Sequence, residues 1–521
     1  MTDRTEIVDV LAVAGAGPAA AHRKPVAQLT ARPYPPGRYP LIVVGTGPGG
    51  LQLSYALRRL GIGHAVLSAD DQPGGMFLRY PLFQRLNTWS KPHAPADPRT
   101  HPYAWFDWNS LVADEPAHRS LVLEFMDGVS YFPARAEMAA GLGAFAARAG
   151  VDARYGVRWE RTRRTDDGFV LETSDGEYHA PVLVFAVGMA EPWKPAIPGM
   201  EHVPHYVQVE PARTYAGQRV FIVGKRNSGF EVADALLPWA RQIILGSPRP
   251  PVLSVFAAGA GVRAKYIVPY EDYVLGGGVW ILDAAIERVE RFADGWRVHT
   301  QGRKTGARTV EVDRVIAATG FAVPLGDLPQ LGVATFTQGR LPRMTHFWES
   351  ATVPGIYFAG TITQGAPGMR KYGYPGNSAA VGGFRHNARV LAEHLARHRF
   401  GLRLPRPRLA PHDVVPYLLA QATRAPELLN QRGYLARMVA FDPAEGITDE
   451  GIVPLAWFVD TDGPPAVAMA VEVDGSNEHH PVVYLRQGGS VAEHVLPGGP
   501  LPDFEGSEHR RALAAVLAGV L

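Results

Sequence analysis

The chain has 521 residues, 46% of them hydrophobic and 20% charged, with a formal net charge of +2. This is the composition of a globular protein with room for two or three domains; it gives no reason to expect nucleic acid, and no apolar run approaches the roughly 18 residues of a membrane helix. Cysteine is absent, which excludes disulfides, thiolate metal sites, cysteine nucleophiles and any dithiol relay.

Residues 1–37 contain a decoy. Val10 to Ala20 imitates both a glycine fingerprint and the apolar core of a leader peptide. Pro25 and Pro33 interrupt the helix a fingerprint needs, and Asp3, Glu6 and Asp9 spoil a positive leader. The reading predicts a flexible arm over 1–37 and a cytoplasmic protein.

The stretch from Tyr39 to Leu57 organises the rest of the chain. Leu41 to Val44 has the length and branching of a buried strand. It runs into Gly45-x-Gly47-x-x-Gly50, and a helix continues from there. Gly45 permits the turn, Gly47 admits a pyrophosphate to the backbone, and Gly50 lets helix and strand pack closely. The phosphates then meet the free N–H groups of the helix start. Gly45, Gly47, Pro48, Gly49 and Gly50 are therefore expected to bind a dinucleotide.

His64 to Ser68 reads as the second strand. Where an acidic residue ordinarily holds the ribose, Ser68 stands, with Asp70 and Asp71 just beyond; either the serine or an aspartate reaching back takes that role. Gly74-Gly75-Met76 is expected to cross beside a flavin, so Gly75 and Met76 join the cofactor set. The loop from Arg79 through Asn87 and Lys91 to Ser110 mixes aromatic and polar residues, as a cover over a cofactor would. A helix is expected over 136–149, and strands over 151–155, 169–173 and 181–187.

A second dinucleotide unit begins near Arg219. Val220 to Val223 is a strand, and Gly224-Lys225-Arg226-Asn227-Ser228-Gly229 is the turn into a helix. Arg226 replaces the middle glycine; it either pairs with phosphate or blocks the pocket. After the strand from Gln242, Arg249 stands where a cation contacts a 2′-phosphate, favouring NADPH over NADH. Two later strands end in Thr319-Gly320 and in Gly360-Thr361, and residues 365–383 read as a wall beside the flavin ring, leading into a helix to about His398. Beyond a proline-marked linker, helices are expected over 414–422 and 427–439, and strands over 453–459, 466–473 and 481–486. Glu478-His479-His480, like His202 and His205, reads as ordinary polar surface, and no metal site is expected.

Two nucleotide units, one inserted in the other, resemble the two-dinucleotide-binding-domain flavoproteins. The resemblance implies an α/β fold of two Rossmann-like domains: an FAD domain (38–204 and 325–400), an NADPH domain (205–324) inserted in it, and a C-terminal α+β domain (401–521). Arg79-Tyr-Pro, Phe106-Asp-Trp-Asn-Ser-Leu, Tyr131-Phe-Pro-Ala-Arg, Gly224-x-x-Asn-Ser-x-Phe-Glu and Gly383-Phe-Arg look closest to the FAD-dependent oxidoreductase domain-containing flavoproteins. Leu86-Asn-Thr-Trp-Ser-Lys91 is similar to the asparagine loop of class B flavin monooxygenases. Lys91 followed by Asp97-Pro98 resembles, more loosely, the substrate-binding loop of amino-acid N-hydroxylases. The Phe-x-Gly-x-x-x-His signature is missing from Val203 to Val209, which favours heteroatom oxygenation over ketone oxidation.

The resemblance implies that NADPH reduces FAD and that the reduced flavin traps O2 as a C4a-(hydro)peroxide, which oxygenates an amine or sulfide of a small molecule, with an amine or amino acid foremost. Asn87, near flavin and nicotinamide, and Lys91, gripping an anionic substrate, are the expected catalytic residues; Arg79 and Asn87 also count as cofactor contacts. Two other classes stay open: a flavin reductase or oxidase without oxygen transfer, and a non-catalytic flavin-binding adaptor in which Arg226 closes the second site. For the last 120 or so residues a lid, a dimer surface of a homo-oligomer and a carrier dock all remain.

Overall fold

The computed structural model describes residues 32–83, 85–94, 107–254, 261–270, 278–368, 376–442, 444 and 446–521. Its first sheet has five parallel strands, in the order Ile356–Phe358, Leu183–Phe185, Ile42–Val44, Ala65–Ser68 and Arg154–Tyr155. The first four are short apolar runs with every residue buried, as strands covered on both faces must be. Helix α1 (Pro48–Arg59) leaves the central strand, and α2 (Arg135–Arg148) covers the segment before Arg154.

The second sheet runs Gly306–Val312, Gly295–Gly302, Val279–Phe292, Gln242–Ser247, Arg219–Val223 and Arg314–Ala317. Its last four strands are parallel and its first two pair antiparallel. Helix α3 (Asn227–Leu236) follows Arg219–Val223 as α1 follows Ile42–Val44. In both sheets the glycine turn leaves a strand whose next strand in sequence lies on one side and a much later one on the other. That is the switch point at which open α/β sheets form a crevice.

Helix α4 (Val381–His398) returns to the first sheet, where Leu391 and Leu395 join its core. Residues 32–37, expected as the end of a free arm, are packed. Tyr178 donates from its hydroxyl to the Tyr34 carbonyl at 3.0 Å, and Gly37 pairs in parallel with Tyr178 at the edge of a four-stranded mixed sheet. The rest of the arm, 1–31, lies outside the described residues.

The C-terminal part is a five-stranded antiparallel sheet with α5 (Val414–Arg424), α6 (Pro426–Asn430), α7 (Leu455–Asp460) and α8 (Ser507–Leu517). Two expectations fail here. The helix expected over 427–439 stops at Asn430, and Leu435–Asp442 is a strand. Gly433 takes φ +61° and donates its N–H to the Val471 carbonyl, which turns the chain into the sheet. Val439 and Phe441 then face one core, while Ala436, Met438 and Ala440 face another; the spacing of apolar residues is alternation, not a helical stripe. The strand expected over 453–459 ends at Pro454, and Leu455–Asp460 coils as α7, burying Leu455 and Phe458 together. Among the described residues no helix is long and apolar enough to cross a membrane.

Candidate cofactor clefts and the family of the chain

The first glycine turn is held from both sides. Gly45 takes φ +112° and donates to the Leu67 carbonyl at 2.7 Å. A Cβ on Gly45 would stand 2.6 Å from the Ala186 carbonyl oxygen, and one on Gly50 would overlap the Gly45 carbonyl. A Cβ on Gly49 would strike the backbone of Gly360, which places the later strand end against the start of α1. Pro48 is buried as the first residue of that helix. Gly47 differs: its nearest neighbour is the Gly75 Cα, 3.8 Å from where a Cβ would be. Gly47 and Gly75 thus face each other as bare backbone at a helix N-terminus. This is a cradle a Cβ would fill, and it fits a pyrophosphate.

Around the cradle the polar groups are already matched. Ser68 is buried and accepts from the Thr46 hydroxyl at 2.8 Å. Asp70, just past the strand Ala65–Ser68, pairs at 2.7 Å with Arg79, which follows the turn of Gly75–Leu78, so those two expected contacts arrive as a pair. Met76 lies against Gly188, its Sδ 3.6 Å from the position of a Cβ there. Thr361 donates its hydroxyl to the Ala379 carbonyl at 3.0 Å, joining the late strand end to the start of α4.

The second turn repeats the first. Gly224 takes φ +123° against Ala318, and a Cβ on Gly229 would stand 2.5 Å from the Gly224 carbonyl oxygen. Arg226 occupies the helix N-cap, as Gly47 does, with ordinary extended dihedrals and an exposed side chain. Asn227 accepts from the Arg263 N–H at 2.9 Å, and Ser228 opens the helix beside it. Lys225 turns away: its ammonium is buried, donating to the Leu282 carbonyl at 2.8 Å and pairing with Asp283. Only its backbone is left for a phosphate. Arg249 is exposed just past the end of its strand. Thr319 donates to the Trp193 carbonyl at 2.5 Å, and Gly320 accepts from Trp193 and His205 at 3.1 and 3.0 Å. Arg340, not anticipated from sequence, lies over the Trp193 ring at 4.6 Å and close enough to Arg226 for the two charges to repel. That cationic edge fits a second, phosphate-bearing dinucleotide.

The family model described as pyridine nucleotide-disulphide oxidoreductase matches residues 42–360, from the first buried strand through the glycine that closes on α1.

The chain belongs to the pyridine nucleotide-disulphide oxidoreductase family.

Within it, FAD and NAD(P)H are the cofactors and the reaction is an oxidoreduction. The chain is 27% identical over 399 residues to mouse "FAD-dependent oxidoreductase domain-containing protein 2", covering 70% of this chain and 58% of that one. It therefore spans little more than half the length of that relative. A ferredoxin–NADP reductase of Thermus thermophilus is 28% identical over 256 residues, 47% of this chain and 69% of its own. A flavin-containing monooxygenase structure from Stenotrophomonas maltophilia superposes with a TM-score of 0.53 at 20% identity, covering 70% of this chain and 99% of that one; that likeness concerns the fold.

The loop bearing Asn87 and Lys91 is anchored on both sides. Leu86 donates to the Pro133 carbonyl at 2.8 Å, Ser90 to the Tyr131 carbonyl at 2.8 Å, and the Ser90 hydroxyl to Asp107 at 2.7 Å. Asn87 is exposed between these anchors. Lys91 is exposed too, its ammonium 5.4 Å above the Trp89 ring. Asp97-Pro98 and Lys371 to Tyr374 of the expected wall lie outside the described residues.

Sequence reasoning missed the contacts that tie this loop to the second sheet. Lys265 donates to the Leu86 carbonyl, one residue from Asn87, and to that of Arg85 at 3.3 Å. Its ammonium also lies 4.2 Å from the Phe132 ring centre. Glu231, buried on α3, accepts from the Phe83 N–H at 3.0 Å and the Tyr206 hydroxyl at 3.0 Å, and burial pushes its pKa upward. Glu231 stood in a motif already singled out, whereas nothing local marked Lys265.

Burial lowers Lys265 to about 8. The folded chain therefore releases this proton before the unfolded chain does, so between pH 8 and the ordinary lysine range the unfolded state holds more protons and stability rises with pH. The urea midpoint of the wild type is expected to gain on that of Lys265→Met above pH 8. A difference constant with pH would refute the assignment.

Asp474, Glu478 and His480 are brought together in the C-terminal sheet. The Asp474 carboxylate is already engaged by Ser476 at 2.7 and 2.9 Å, by the Glu478 N–H at 2.9 Å and by His480 at 3.1 Å. This is the hydrogen-bond set of a turn.

Proposed function

We propose that the chain is an NADPH-dependent FAD monooxygenase that oxygenates a heteroatom, an amine nitrogen foremost, of a small molecule. The observation that carries this reading is a pair of glycine turns, the second with Arg226 in place of its middle glycine, in a chain with no cysteine. Electrons entering such a protein have no protein dithiol to reach, so they leave to a diffusible acceptor. When bound, the two cofactors supply the hydride and the oxygen-reactive ring. The chain's own part is to hold and screen them. Gly45, Gly47, Gly49, Gly50 and Gly75 cradle the first pyrophosphate, while Asp70 with Arg79 borders its ribose. Gly224, Arg226 and Gly229 receive the second, with Arg249 on the 2′-phosphate. Asn87 hydrogen-bonds where flavin and nicotinamide meet, and Lys91 holds an anionic substrate group. The aromatic loop around Trp89 and Trp108 keeps water out.

The test is to supply NADPH, isotopically labelled O2 and a panel of amines and amino acids to the FAD-loaded protein. Labelled oxygen in an amine product, with NADPH consumed in step, is the expected result. Electrons that all appear as hydrogen peroxide, or pass to ferredoxin or a quinone whatever the amine, would replace the reading by an oxidase or reductase. The similarity to a ferredoxin–NADP reductase favours that second reading.

Coenzyme choice gives a separate expectation. Arg249→Ala should raise the KM for NADPH severalfold or more while leaving that for NADH nearly unchanged. Equal effects on both coenzymes would remove Arg249 from the 2′-phosphate.

A further inference from the structure

A cleft of about 790 Å3 lies between α4 and the C-terminal sheet, and no residue of either glycine turn lines it. Its size is that of a small-molecule site, and the seam between packed units is where such sites concentrate. One wall is aromatic. Phe347 lies flat on His394, with ring centres 4.1 Å apart and planes within 9°, and Trp457 meets Phe347 edge-on at 5.4 Å. Burial and neighbouring cations hold His394 down to about 3, so it contributes a ring and no charge.

The remaining lining is polar in an uneven way. Arg397 and Arg406 converge on Glu450, at 3.7 and 3.1 Å, and Arg397 also acts on Glu393, so the positive surplus of the lining rests on Arg403. Arg403, exposed at the edge, has no ion pair among the described residues. Glu393 offers the opposite. It is half-buried on α4, where burial raises its pKa against the pull of Arg389, Arg397 and Arg437, and its carboxyl has no hydrogen-bond donor among the described residues.

We propose that this cleft binds a purine nucleotide. Three separate demands converge on that class. His394 is already sandwiched between the Phe347 and His398 rings, so the partly exposed Trp457, edge-on to Phe347, is the ring left to meet a flat ligand. Glu393 lacks a donor, which the exocyclic amine of a purine carries. Arg403, the arginine of the cleft with no carboxylate partner among the described residues, suits a phosphate in the fork geometry that arginine provides. A simple aromatic acid would leave Glu393 unmatched, and free phosphate would leave the rings bare. The site stands apart from the dinucleotide clefts and does not depend on the oxygenation reading.

The probe is AMP, titrated calorimetrically into the FAD-loaded protein with NADP+ held at saturation so that the nicotinamide cleft is filled. AMP is expected to bind with a change in tryptophan fluorescence, and adenosine and inorganic phosphate each at least about tenfold more weakly. Arg403→Glu, a change at an exposed position, is expected to weaken AMP by about tenfold or more without altering adenosine binding or the rate of NADPH oxidation. Trp457→Leu is expected to weaken AMP and adenosine together. Absence of AMP binding at saturating NADP+, binding as strong for phosphate as for AMP, or AMP binding unaltered by Arg403→Glu would each overturn the proposal. Should Trp457→Leu fail to fold, the Arg403 result and the ligand series decide it.

Discussion

Gly50→Ala is expected to strip the protein of FAD. The added Cβ would occupy the space of the Gly45 carbonyl oxygen and would also press on the Ala186 Cβ at 3.3 Å. Neither neighbour is the yielding end of a long side chain. One is the backbone of a turn fixed by its hydrogen bond to Leu67, and the other belongs to the strand end beside it. Relief therefore requires α1 to move off the sheet, which carries its N-terminal N–H groups away from the phosphates. Forcing a group into such a site costs about 3 kcal/mol. At tenfold per ~1.4 kcal/mol, FAD affinity should fall about 100-fold. Gly143→Ala is the control. Gly143 lies within α2 and a Cβ there meets nothing within 4 Å, so the variant should keep its flavin and gain up to about 1 kcal/mol from helix propensity. Flavin absorbance after gel filtration reads both. Full flavin retention by Gly50→Ala would show that the turn is not the phosphate cradle.

Arg385→Met is the second change with a large expected effect. Arg385 is fully buried on α4 and donates from one nitrogen to the carbonyls of Ser110 at 2.6 Å and Asp107 at 3.2 Å. Asp107, also fully buried, accepts from the Ser90 hydroxyl and from the N–H groups of Asn109 and Ser110 at 2.7, 2.9 and 3.1 Å. One guanidinium thus fixes the segment that in turn fixes the loop of Asn87. Methionine fills much of the volume but leaves two buried carbonyls without that donor. The loss should be about 3 kcal/mol, seen as a lower urea midpoint for flavin release. The rate of NADPH oxidation should fall as well if the loop of Asn87 has the role proposed for it, because that loop loses its support. A variant with an unchanged midpoint would show that other groups hold Asp107 and the loop in place.

The contacts around Gly50 and those around Arg385 differ greatly in how visible they are in the sequence. The glycine turns are local: a strand, a sharp bend and a helix within twenty residues leave a pattern that only close backbone packing explains, so both sheets and their crevices could be placed. The same locality explains the errors. Over 427–439 the choice fell to Gly433 meeting Val471, after which the apolar residues alternate, and over 453–459 to Pro454 ending a strand. Lys225 stands in the second dinucleotide turn by position, yet Leu282 and Asp283 on a strand nearly 60 residues later take its ammonium. The amino-acid order by itself determined the α/β class, the two dinucleotide turns and the absence of any thiol chemistry. Only the tertiary structure decided which charged groups face a cleft. It joined Lys265 to Leu86, Arg385 to Asp107, and Gln431 of the C-terminal part to Asn387 on α4 at 2.6 Å. Burial and pairing belong to neighbours far apart along the chain, and no local pattern encodes them.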